Sequence, residues 1–337
     1  MTPEWRKSMK IAAFSVRPDE LPYFEKFSVD YQQELLTFKE GLSLENVALI
    51  KGCDGISACD GTDDLSAPVL QKLAENGVKY IGMRTVGYNS VDLKEAVRLG
   101  IRISHSGYSP YSVANYTIML MLMCIRKAGY IMFRSHTADY SLGPICGFEM
   151  QNLTIGVIGT GRIGKAVIQN LKGFGCKILA YDLYPSKDLE NVEYVPLEEL
   201  YTRSDMITLH TYLSDETYHM INAESIAKMK DGVILINAAR GALVDTKALI
   251  EAIESGKIGA VGTDCCEGED DFIRRDQKYD GRVLNHDYII LKSFQNTIVT
   301  PHVAFFTNQA VSDMVESSLK SMRQFEEKEE VALEVKM

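Results

Sequence analysis

The chain has 337 residues, of which 46% are hydrophobic and 24% charged, and its formal net charge is −10. This length favours two domains, and the hydrophobic fraction argues against extensive disorder. An acidic surface repels phosphate backbones and anionic lipids, so nucleic acids and membranes are disfavoured as partners. A small anionic substrate would have to bind through locally placed cations and backbone amides.

The cysteines and the apolar runs predict a cytoplasmic protein. There are seven cysteines, an odd number without C-x-x-C spacing, which argues against a disulfide framework. We interpret the adjacent Cys265 and Cys266 as small side chains that fill packed space rather than as a redox pair. The first apolar run, residues 11–16, is too short for a signal peptide. The most apolar stretch, residues 118–125, falls short of the ~20 residues that span a bilayer, and it predicts a buried helix packed against a second subunit.

Short apolar runs alternate with amphipathic segments along the chain. The runs predict strands at residues 10–15, 55–59, 80–83, 155–158, 178–181, 206–210, 233–237, 260–264 and 297–300. The amphipathic segments predict helices that include residues 66–76, 163–174, 222–229 and 246–255. This alternation indicates parallel sheets with helices on both faces.

Turn signals support several of these boundaries. Gly77 and Gly256 each follow a predicted helix, where glycine is favoured. Asn222 is placed to cap a helix, with Ser225 at the third helical position in place of an acid. The segment 267–286 carries many charges and few apolar residues, which predicts a long surface loop.

A glycine-rich turn follows the strand at 155–158. Gly159, Gly161 and Gly164 form G-x-G-x-x-G between this strand and a predicted helix. In such a turn the first glycine permits the tight bend, the second lets a pyrophosphate approach the backbone, and the third allows close packing of helix and strand. The N-terminus of the helix then offers amides and a positive dipole to phosphate.

A carboxylate after the next strand makes this signal specific. Asp182 ends that strand 18 residues after Gly164. A carboxylate there binds the ribose hydroxyls of NAD and repels the 2′-phosphate of NADP. S-adenosylmethionine binding is the main alternative, because it also uses a glycine turn with a carboxylate on the next strand.

Polar residues follow three later strands, at the sheet edge where open α/β folds bind ligands. Arg240 follows the strand at 233–237, Glu269 the strand at 260–264, and His302 the strand at 297–300. Reduction of a 2-keto acid needs a cation for the carboxylate and carbonyl, which a forked guanidinium provides. It also needs an acid that protonates the oxygen, for which a histidine paired with a carboxylate is suited.

Each of these residues has a structural alternative when taken alone. An arginine before glycine is commonly solvated, a histidine after Thr-Pro is commonly a cap, and an acidic loop is commonly a solvated face. Their occurrence at successive strand ends favours catalysis. His210 either borders the cofactor or is an ordinary structural histidine, and the histidines have no metal-binding spacing such as H-E-x-x-H.

These motifs together resemble the D-specific 2-hydroxyacid dehydrogenases, and the resemblance covers nearly the whole chain. It rests on residues 84–89, 108–110, 159–164, 182, 210–211, 237–241, 264–269 and 300–302. The loop after Glu269 and residues 304–307 are similar to the D-lactate dehydrogenase branch, which includes the enzymes of vancomycin resistance and has (R)-phenyllactate dehydrogenases close to it.

The resemblance implies an α/β fold in which a Rossmann-type NAD domain, residues 108–303, is inserted into a discontinuous flavodoxin-like substrate domain, residues 1–107 and 304–337. It also implies a homodimer. By resemblance, His302 is the acid/base, Glu269 its partner and Arg240 the substrate clamp. The implied cofactor residues are Gly159, Gly161, Arg162, Ile163, Gly164, Asp182, His210, Thr211, Ala238 and Asp264, the last near the nicotinamide amide. The implied substrate residues are Val86, Gly87, Tyr108 and Phe305.

We therefore expect an NAD-dependent reductase of a 2-keto acid, with pyruvate as the first candidate substrate. Phenylpyruvate and branched-chain keto acids are the alternatives, because Cys59 is small where some D-lactate enzymes place an aromatic residue. An NAD-sensing co-repressor of the same fold is an alternative from another class. A methyltransferase would leave Arg240, Glu269 and His302 without a shared purpose.

Overall fold

The computed structural model describes residues 8–269, 272–273 and 285–336. The chain forms two compact units. We call Met1–Ser109 with Phe306–Met337 the discontinuous unit, and Pro110–Phe305 the inserted unit. The domain bounds expected from the sequence lie two residues from these junctions.

The elements of the described residues are as follows. The strands are β1 (Met9–Ala13), β2 (Gln33–Thr37), β3 (Gly55–Ala58), β4 (Tyr80–Met83), β5 (Arg102–Ser104), β6 (Thr154–Ile158), β7 (Lys177–Tyr181), β8 (Glu193–Tyr194), β9 (Met206–Leu209), β10 (Val233–Asn237), β11 (Ile258–Thr263) and β12 (Thr297–Val299). The α-helices are α1 (Leu21–Asp30), α2 (Ala67–Glu75), α3 (Leu93–Arg98), α4 (Tyr111–Ile125), α5 (Ala128–His136), α6 (Arg162–Lys172), α7 (Leu197–Arg203), α8 (Ala223–Lys228), α9 (Thr246–Glu254), α10 (His286–Ser293) and α11 (Asn308–Glu326).

The discontinuous unit contains a parallel sheet in the order β2-β1-β3-β4-β5, which is the flavodoxin-like order. Helix α11, from the end of the chain, packs directly on this sheet. Ser318 Oγ donates to the carbonyl oxygen of Gly82 at 2.8 Å, and Gln33 Nε2 donates to the Leu319 carbonyl oxygen at 2.9 Å. A Cβ on Gly82 would lie 2.6 Å from the Ser318 carbonyl oxygen, so this approach requires glycine.

The inserted unit contains a parallel sheet in the order β12-β11-β10-β9-β6-β7-β8. Helices α4 and α6 pack with one hydrophobic core, and helices α7, α8 and α9 pack with another. Strands covered on both faces read as continuous apolar runs, which is why most of them were recognisable in the sequence. The strand order reverses between β6 and β9, and this switch point is where ligands bind in doubly wound sheets. The α/β fold class predicted from the sequence is confirmed.

All nine predicted strands and all four predicted helices are present, with ends within two residues of the expected positions. The cap at Asn222 is also confirmed: its Oδ1 accepts the Ser225 N–H at 3.0 Å, and Ser225 Oγ accepts the Asn222 N–H at 2.9 Å. The three strands that the sequence analysis missed are β2, β5 and β8, and all three lie at sheet edges. An edge strand pairs on one side only and needs no continuous apolar run.

Three other expectations concern packing. Residues 118–125 do form a largely buried part of α4, and the side chains of Cys265 and Cys266 are buried. Most of the segment 267–286, predicted to be a surface loop, lies outside the described residues. Among those described, no single helix is long and apolar enough to cross a membrane, although α4 and α5, bent by 63°, meet the criterion as a pair.

Candidate active site

The three residues of the predicted catalytic group follow three neighbouring strands of the inserted unit. Strand β11 pairs in parallel with both β10 and β12. The carboxyl ends of these strands therefore lie at one edge of the sheet. Arg240 follows β10, Glu269 follows β11 and His302 follows β12, so their loops leave the same edge side by side.

His302 and Glu269 form a direct hydrogen bond. His302 Nδ1 lies 2.5 Å from Glu269 Oε1, and the two side chains are 27% and 12% exposed. The second carboxylate oxygen, Oε2, accepts the backbone N–H of Cys266 at 2.7 Å. The carboxylate is thus fixed through both oxygens, and it occupies Nδ1 of the ring. The other ring nitrogen, Nε2, is not part of this hydrogen bond.

Asp264 organises the loop that carries His302. Its carboxylate accepts Thr300 Oγ1–H at 2.5 Å, the Val303 N–H at 3.0 Å and the Ala304 N–H at 2.7 Å. Its backbone oxygen accepts the His302 N–H at 2.7 Å, and His302 itself adopts a left-handed conformation with φ 54°. Asp264 was expected near the nicotinamide, and this positioning role was not predicted, because an acid after a strand carries no signal of which loop it will hold.

Asn237 fixes the loop that carries Arg240. Its Nδ2 donates to the Arg240 carbonyl oxygen at 2.9 Å, and its Oδ1 accepts the Ala239 N–H at 3.0 Å. A Cβ on Gly241 would overlap the backbone of Cys266, so the Arg240 loop packs directly against the loop that leads to Glu269. Asn237 was a second positioning residue that the sequence analysis missed.

The buried Cys265 thiol is influenced by the charges of the neighbouring loops. Burial raises its pKa well above the ordinary value, and the negative charges of Glu269 and Asp264 raise it further. The positive charge of Arg240 acts in the opposite direction. The guanidinium and both carboxylates are therefore within electrostatic range of one thiol between β10 and β12.

The glycine turn fits a dinucleotide. Gly159 has φ 93°, and a Cβ on it would lie 2.5 Å from the carbonyl oxygen of His210. A Cβ on Gly164 would overlap the Gly159 carbonyl, so the protein's own packing requires both glycines. Gly161 differs, since its φ is −67° and no atom beyond its own chain neighbours lies within 4 Å of its Cβ position. The fold does not need that glycine, whereas the approach of a phosphate to the backbone does.

Other predicted cofactor residues surround the turn. Arg162 and Ile163 begin α6, and Asp182 directly follows β7. Thr211 and Ala238 follow β9 and β10, at the same edge of the sheet.

His210 also lies beside the turn, directly after β9. Its Nε2 lies 2.9 Å from Thr208 Oγ1, while its buried Nδ1 has no hydrogen-bond partner. Burial lowers the pKa of His210 to about 3, so the ring is neutral at physiological pH. A neutral, unsatisfied ring nitrogen beside the glycine turn is compatible with a ligand that completes it.

The discontinuous unit holds the residues expected to bind the substrate carboxylate, and a buried ion pair supports them. Arg84, fully buried, donates from Nε to Glu20 Oε1 at 2.9 Å, from Nη1 to Ser57 Oγ at 3.0 Å and from Nη2 to the Phe14 carbonyl oxygen at 2.6 Å. Cys59 is buried in the same unit, and burial raises its pKa to about 11. The loop after Arg84 therefore starts from a rigid base.

The expected substrate residues belong to both units. Val86 is exposed, and Gly87 accepts Thr85 Oγ1–H on its carbonyl oxygen at 2.7 Å. Tyr108 is half-buried in the discontinuous unit, and Phe305 is half-buried at the end of the inserted unit. In the described part of the chain, no group of three or more His, Cys, Asp or Glu side chains is arranged to hold a metal ion.

Comparison with known proteins identifies relatives that match nearly the whole chain. A family profile described as D-isomer specific 2-hydroxyacid dehydrogenase, NAD binding domain, matches residues 118–304. An aromatic 2-oxoacid reductase of Clostridium sporogenes is 43% identical, with 94% of this chain and 96% of the relative covered. A D-specific alpha-keto acid dehydrogenase of Enterococcus faecalis is 40% identical, with 95% and 98% covered.

The fold comparison agrees. The crystal structure of a D-lactate dehydrogenase with NAD+ from Lactobacillus jensenii superposes with a TM-score of 0.86 at 35% identity, and it covers 98% of this chain and all of the other. These matches span both units, since each covers more than nine-tenths of the chain.

Proposed function

Because the chain belongs to the D-isomer specific 2-hydroxyacid dehydrogenase family and uses NAD as its cofactor, we propose that it reduces a 2-keto acid to the D-2-hydroxy acid. The observation that carries this proposal is the hydrogen bond of 2.5 Å between His302 Nδ1 and Glu269 Oε1, at the sheet edge that Arg240 shares. Bound NADH supplies the hydride that is added to C2 of the keto acid.

Arg240 binds the substrate in this proposal. Its guanidinium pairs with the substrate carboxylate and polarises the neighbouring carbonyl, a task suited to a planar fork of N–H donors. Asn237 and the close packing of Gly241 hold its backbone in place. The backbone amides of Val86 and Gly87 are assigned to the same carboxylate.

His302 is the proton donor. Its Nε2–H protonates the carbonyl oxygen as C2 is reduced, and in the reverse direction Nε2 accepts the hydroxyl proton. Glu269 holds the ring through Nδ1 and stabilises positive charge on it, as the carboxylate does in other histidine–carboxylate pairs. Asp264 acts through the loop, because three of the groups it binds lie between residues 300 and 304.

The cofactor residues are assigned from the glycine turn and the strand ends around it. The pyrophosphate lies on Gly161 and the N-terminus of α6, and Asp182 binds the adenosine ribose. The remaining assigned residues border these: Gly159, Arg162, Ile163, Gly164, His210, Thr211, Ala238 and Asp264.

Pyruvate remains the first candidate substrate, and phenylpyruvate is a second candidate that a specific comparison favours. The aromatic 2-oxoacid reductase is 43% identical to this chain, whereas the D-lactate dehydrogenase of Lactobacillus jensenii is 35% identical. Tyr108 and Phe305 are assigned to the side-chain pocket that distinguishes the two. The comparisons give no support to a co-repressor or a methyltransferase.

A keto-acid panel tests the proposal. Purified protein with NADH is given pyruvate, phenylpyruvate or a branched-chain keto acid, and loss of NADH absorbance is followed. We expect turnover with at least one of them and a single D-enantiomer on chiral analysis of the product. No NADH oxidation with any keto acid, or a product of the L configuration, would contradict the proposal.

We also propose that the chain forms a homodimer. The expected partner surface, residues 118–125, is largely buried within the inserted unit itself. Soon after it in the chain, Met132, Phe133, Tyr140, Leu142 and Phe148 are each more than half exposed. Large exposed apolar patches mark protein interfaces, and a second copy of the chain is the commonest partner.

Light scattering coupled to size-exclusion chromatography tests the dimer. The double variant Phe133→Asp, Leu142→Asp should elute as a monomer, whereas Leu49→Asp, a control at another exposed leucine, should not change the mass. A monomeric wild-type protein would contradict the proposal.

We propose the cytoplasm as the compartment, which the odd number of cysteines supports.

A further inference from the structure

A threonine inside the glycine turn holds the carboxylate of Asp182. Thr160 lies between Gly159 and Gly161 and is only 3% exposed. Its backbone N–H donates to Asp182 Oδ2 at 2.6 Å, and its Oγ1–H donates to the same oxygen at 3.0 Å. The turn that meets the phosphates and the carboxylate assigned to the ribose are therefore one hydrogen-bonded unit.

A tyrosine on the edge strand supports this threonine. Tyr194 OH lies 3.0 Å from Thr160 Oγ1, and the Ser186 N–H donates to the Tyr194 oxygen at 3.0 Å. The direction of these bonds is determined, because an ionised carboxylate only accepts. Thr160 must donate to Asp182, so Tyr194 must donate to Thr160 and accept from Ser186.

The other oxygen of Asp182 is also held. Its Oδ1 accepts the Tyr184 N–H at 2.8 Å. With both oxygens bound, the carboxylate has one orientation, and it cannot rotate away from an approaching group without breaking charge-assisted hydrogen bonds. A carboxylate free to rotate could turn its oxygens away from the 2′-phosphate of NADP and so reduce the repulsion, whereas a fixed one keeps it in full.

We propose that Thr160 and Tyr194 are positioning residues that set the preference for NAD over NADP by fixing Asp182 from inside the glycine turn. This inference rests on the proposed role of Asp182 at the ribose. The new element is a hydroxyl relay that reaches from edge strand β8 to Asp182. Neither the glycine motif nor the acid alone would reveal this relay from the sequence.

Direct binding measurements test this without turnover. NADH and NADPH are titrated separately into the full-length protein with no keto acid present, and cofactor fluorescence gives each Kd. The readout is the ratio of the NADPH Kd to the NADH Kd. Thr160→Val and Tyr194→Phe should lower this ratio, the first by about tenfold and the second by about threefold, because hydrogen bonds to charged groups are among the stronger ones. Thr160→Ser keeps the hydroxyl and should stay within about twofold of wild type.

Two further variants separate the possible outcomes. Tyr31→Phe removes a tyrosine–carboxylate hydrogen bond to Glu316 in the other unit, and it should leave the ratio unchanged. Asp182→Asn should lower the ratio most.

If Asp182→Asn has no effect on the ratio of the Kd values, the proposed role of Asp182 is wrong. If Asp182→Asn lowers the ratio but Thr160→Val and Tyr194→Phe leave it unchanged, or raise both Kd values equally, the relay is merely structural and the inference is overturned. Melting temperatures verify that each variant is folded, and Thr160→Ser provides the comparison if Thr160→Val is not.

Discussion

The inserted unit contains two histidine–glutamate pairs whose glutamates are separated by a single residue. Glu269 Oε1 lies 2.5 Å from His302 Nδ1, and Glu267 Oε1 lies 2.6 Å from His219 Nε2. Both histidines have positive φ, and both pairs are partly exposed. By composition and distance the two pairs are nearly the same, yet their surroundings differ.

The Glu267 pair fastens a helix. Its second oxygen accepts the N–H of Thr246 at 3.1 Å and its Oγ1–H at 2.9 Å, at the first residue of α9. His219 Nδ1 lies 4.0 Å from Asp245, which caps the same helix. Three of the four polar side-chain atoms of this pair are therefore hydrogen-bonded within the protein, and the fourth, Nδ1, lies near the Asp245 carboxylate.

The Glu269 pair, in contrast, joins two strand ends at the carboxyl edge of the sheet, and Nε2 of His302 is the atom that the proposed mechanism assigns to the substrate. Its position beside the Arg240 loop, rather than the pair itself, is what indicates catalysis. An assignment from the histidine–carboxylate distance alone would give both pairs a catalytic role. For the Glu267 pair that assignment would be wrong. The comparison can be tested by making the same substitution in each pair.

The largest contrast is expected for the histidines. His302→Gln removes the proton donor, and kcat should fall by about 10⁴-fold, the upper range for general acid catalysis. His219→Gln should leave kcat within about threefold and lower the free energy of unfolding by about 1 kcal/mol, as for a lost hydrogen bond. Steady-state kinetics with NADH and urea denaturation measure the two effects. Equal losses of kcat would remove the distinction between the pairs.

Arg240→Lys tests whether the catalytic pair works with a neighbouring guanidinium. The lysine keeps the charge but loses the planar fork, so kcat/KM for the keto acid should fall by about 10³-fold while NADH binding is unchanged. Arg98→Lys is the matched control, since Arg98 has an exposed side chain and forms an ion pair with Glu95 in the other unit. Activity close to wild type in Arg240→Lys would show that a point charge is enough and that the forked clamp is not required.

Substitutions of the two glutamates should also differ in their effect on kcat, by a smaller factor than substitutions of the two histidines. Glu269→Gln keeps the size of the side chain but removes the charge that stabilises a protonated ring, and kcat should fall by about 10²-fold with little change in KM. Glu267→Gln should retain kcat within about threefold but lower the melting temperature. Thermal melts and kinetics on both variants separate the outcomes, and a large loss of kcat in Glu267→Gln would assign that pair to the chemistry as well.

The sequence predicted the strand ends of this site but not the connections between them. Buried strands such as β10 and β11 read as apolar runs, so Arg240, Glu269 and His302 were predictable as residues beyond neighbouring strands. Edge strands β2, β5 and β8 carry no such run and were missed.

The partner of each polar side chain was also beyond the sequence. Glu267 and Glu269 look alike in an acidic segment, and Asp264 resembled a cofactor ligand rather than a support for residues 300–304. These choices depend on how the loops turn in space, and Gly268, with its positive φ, lies between the two glutamates.

Gly268 is the residue whose substitution should have the smallest effect. Its φ is 66°, and a Cβ would lie 3.1 Å from Asn285 Nδ2, the amide that holds the Glu267 carbonyl oxygen at 2.7 Å. Gly268→Ala should lower the free energy of unfolding by about 1 kcal/mol through left-handed strain. It should also lower kcat about fivefold, because the turn aims Glu269 at His302 while Glu267 stays fixed.

Gly256→Ala is the matched control for this strain. Gly256 has φ 76° in the same unit, and nothing lies within 4 Å of its Cβ position. The control should lose a similar amount of stability without a loss of kcat, as urea denaturation and kinetics on the two variants will measure. If both alanine variants keep full activity, the backbone conformation of Gly268 does not determine how Glu269 is oriented toward His302. The difference between the two pairs would then depend only on the strand ends that each pair joins.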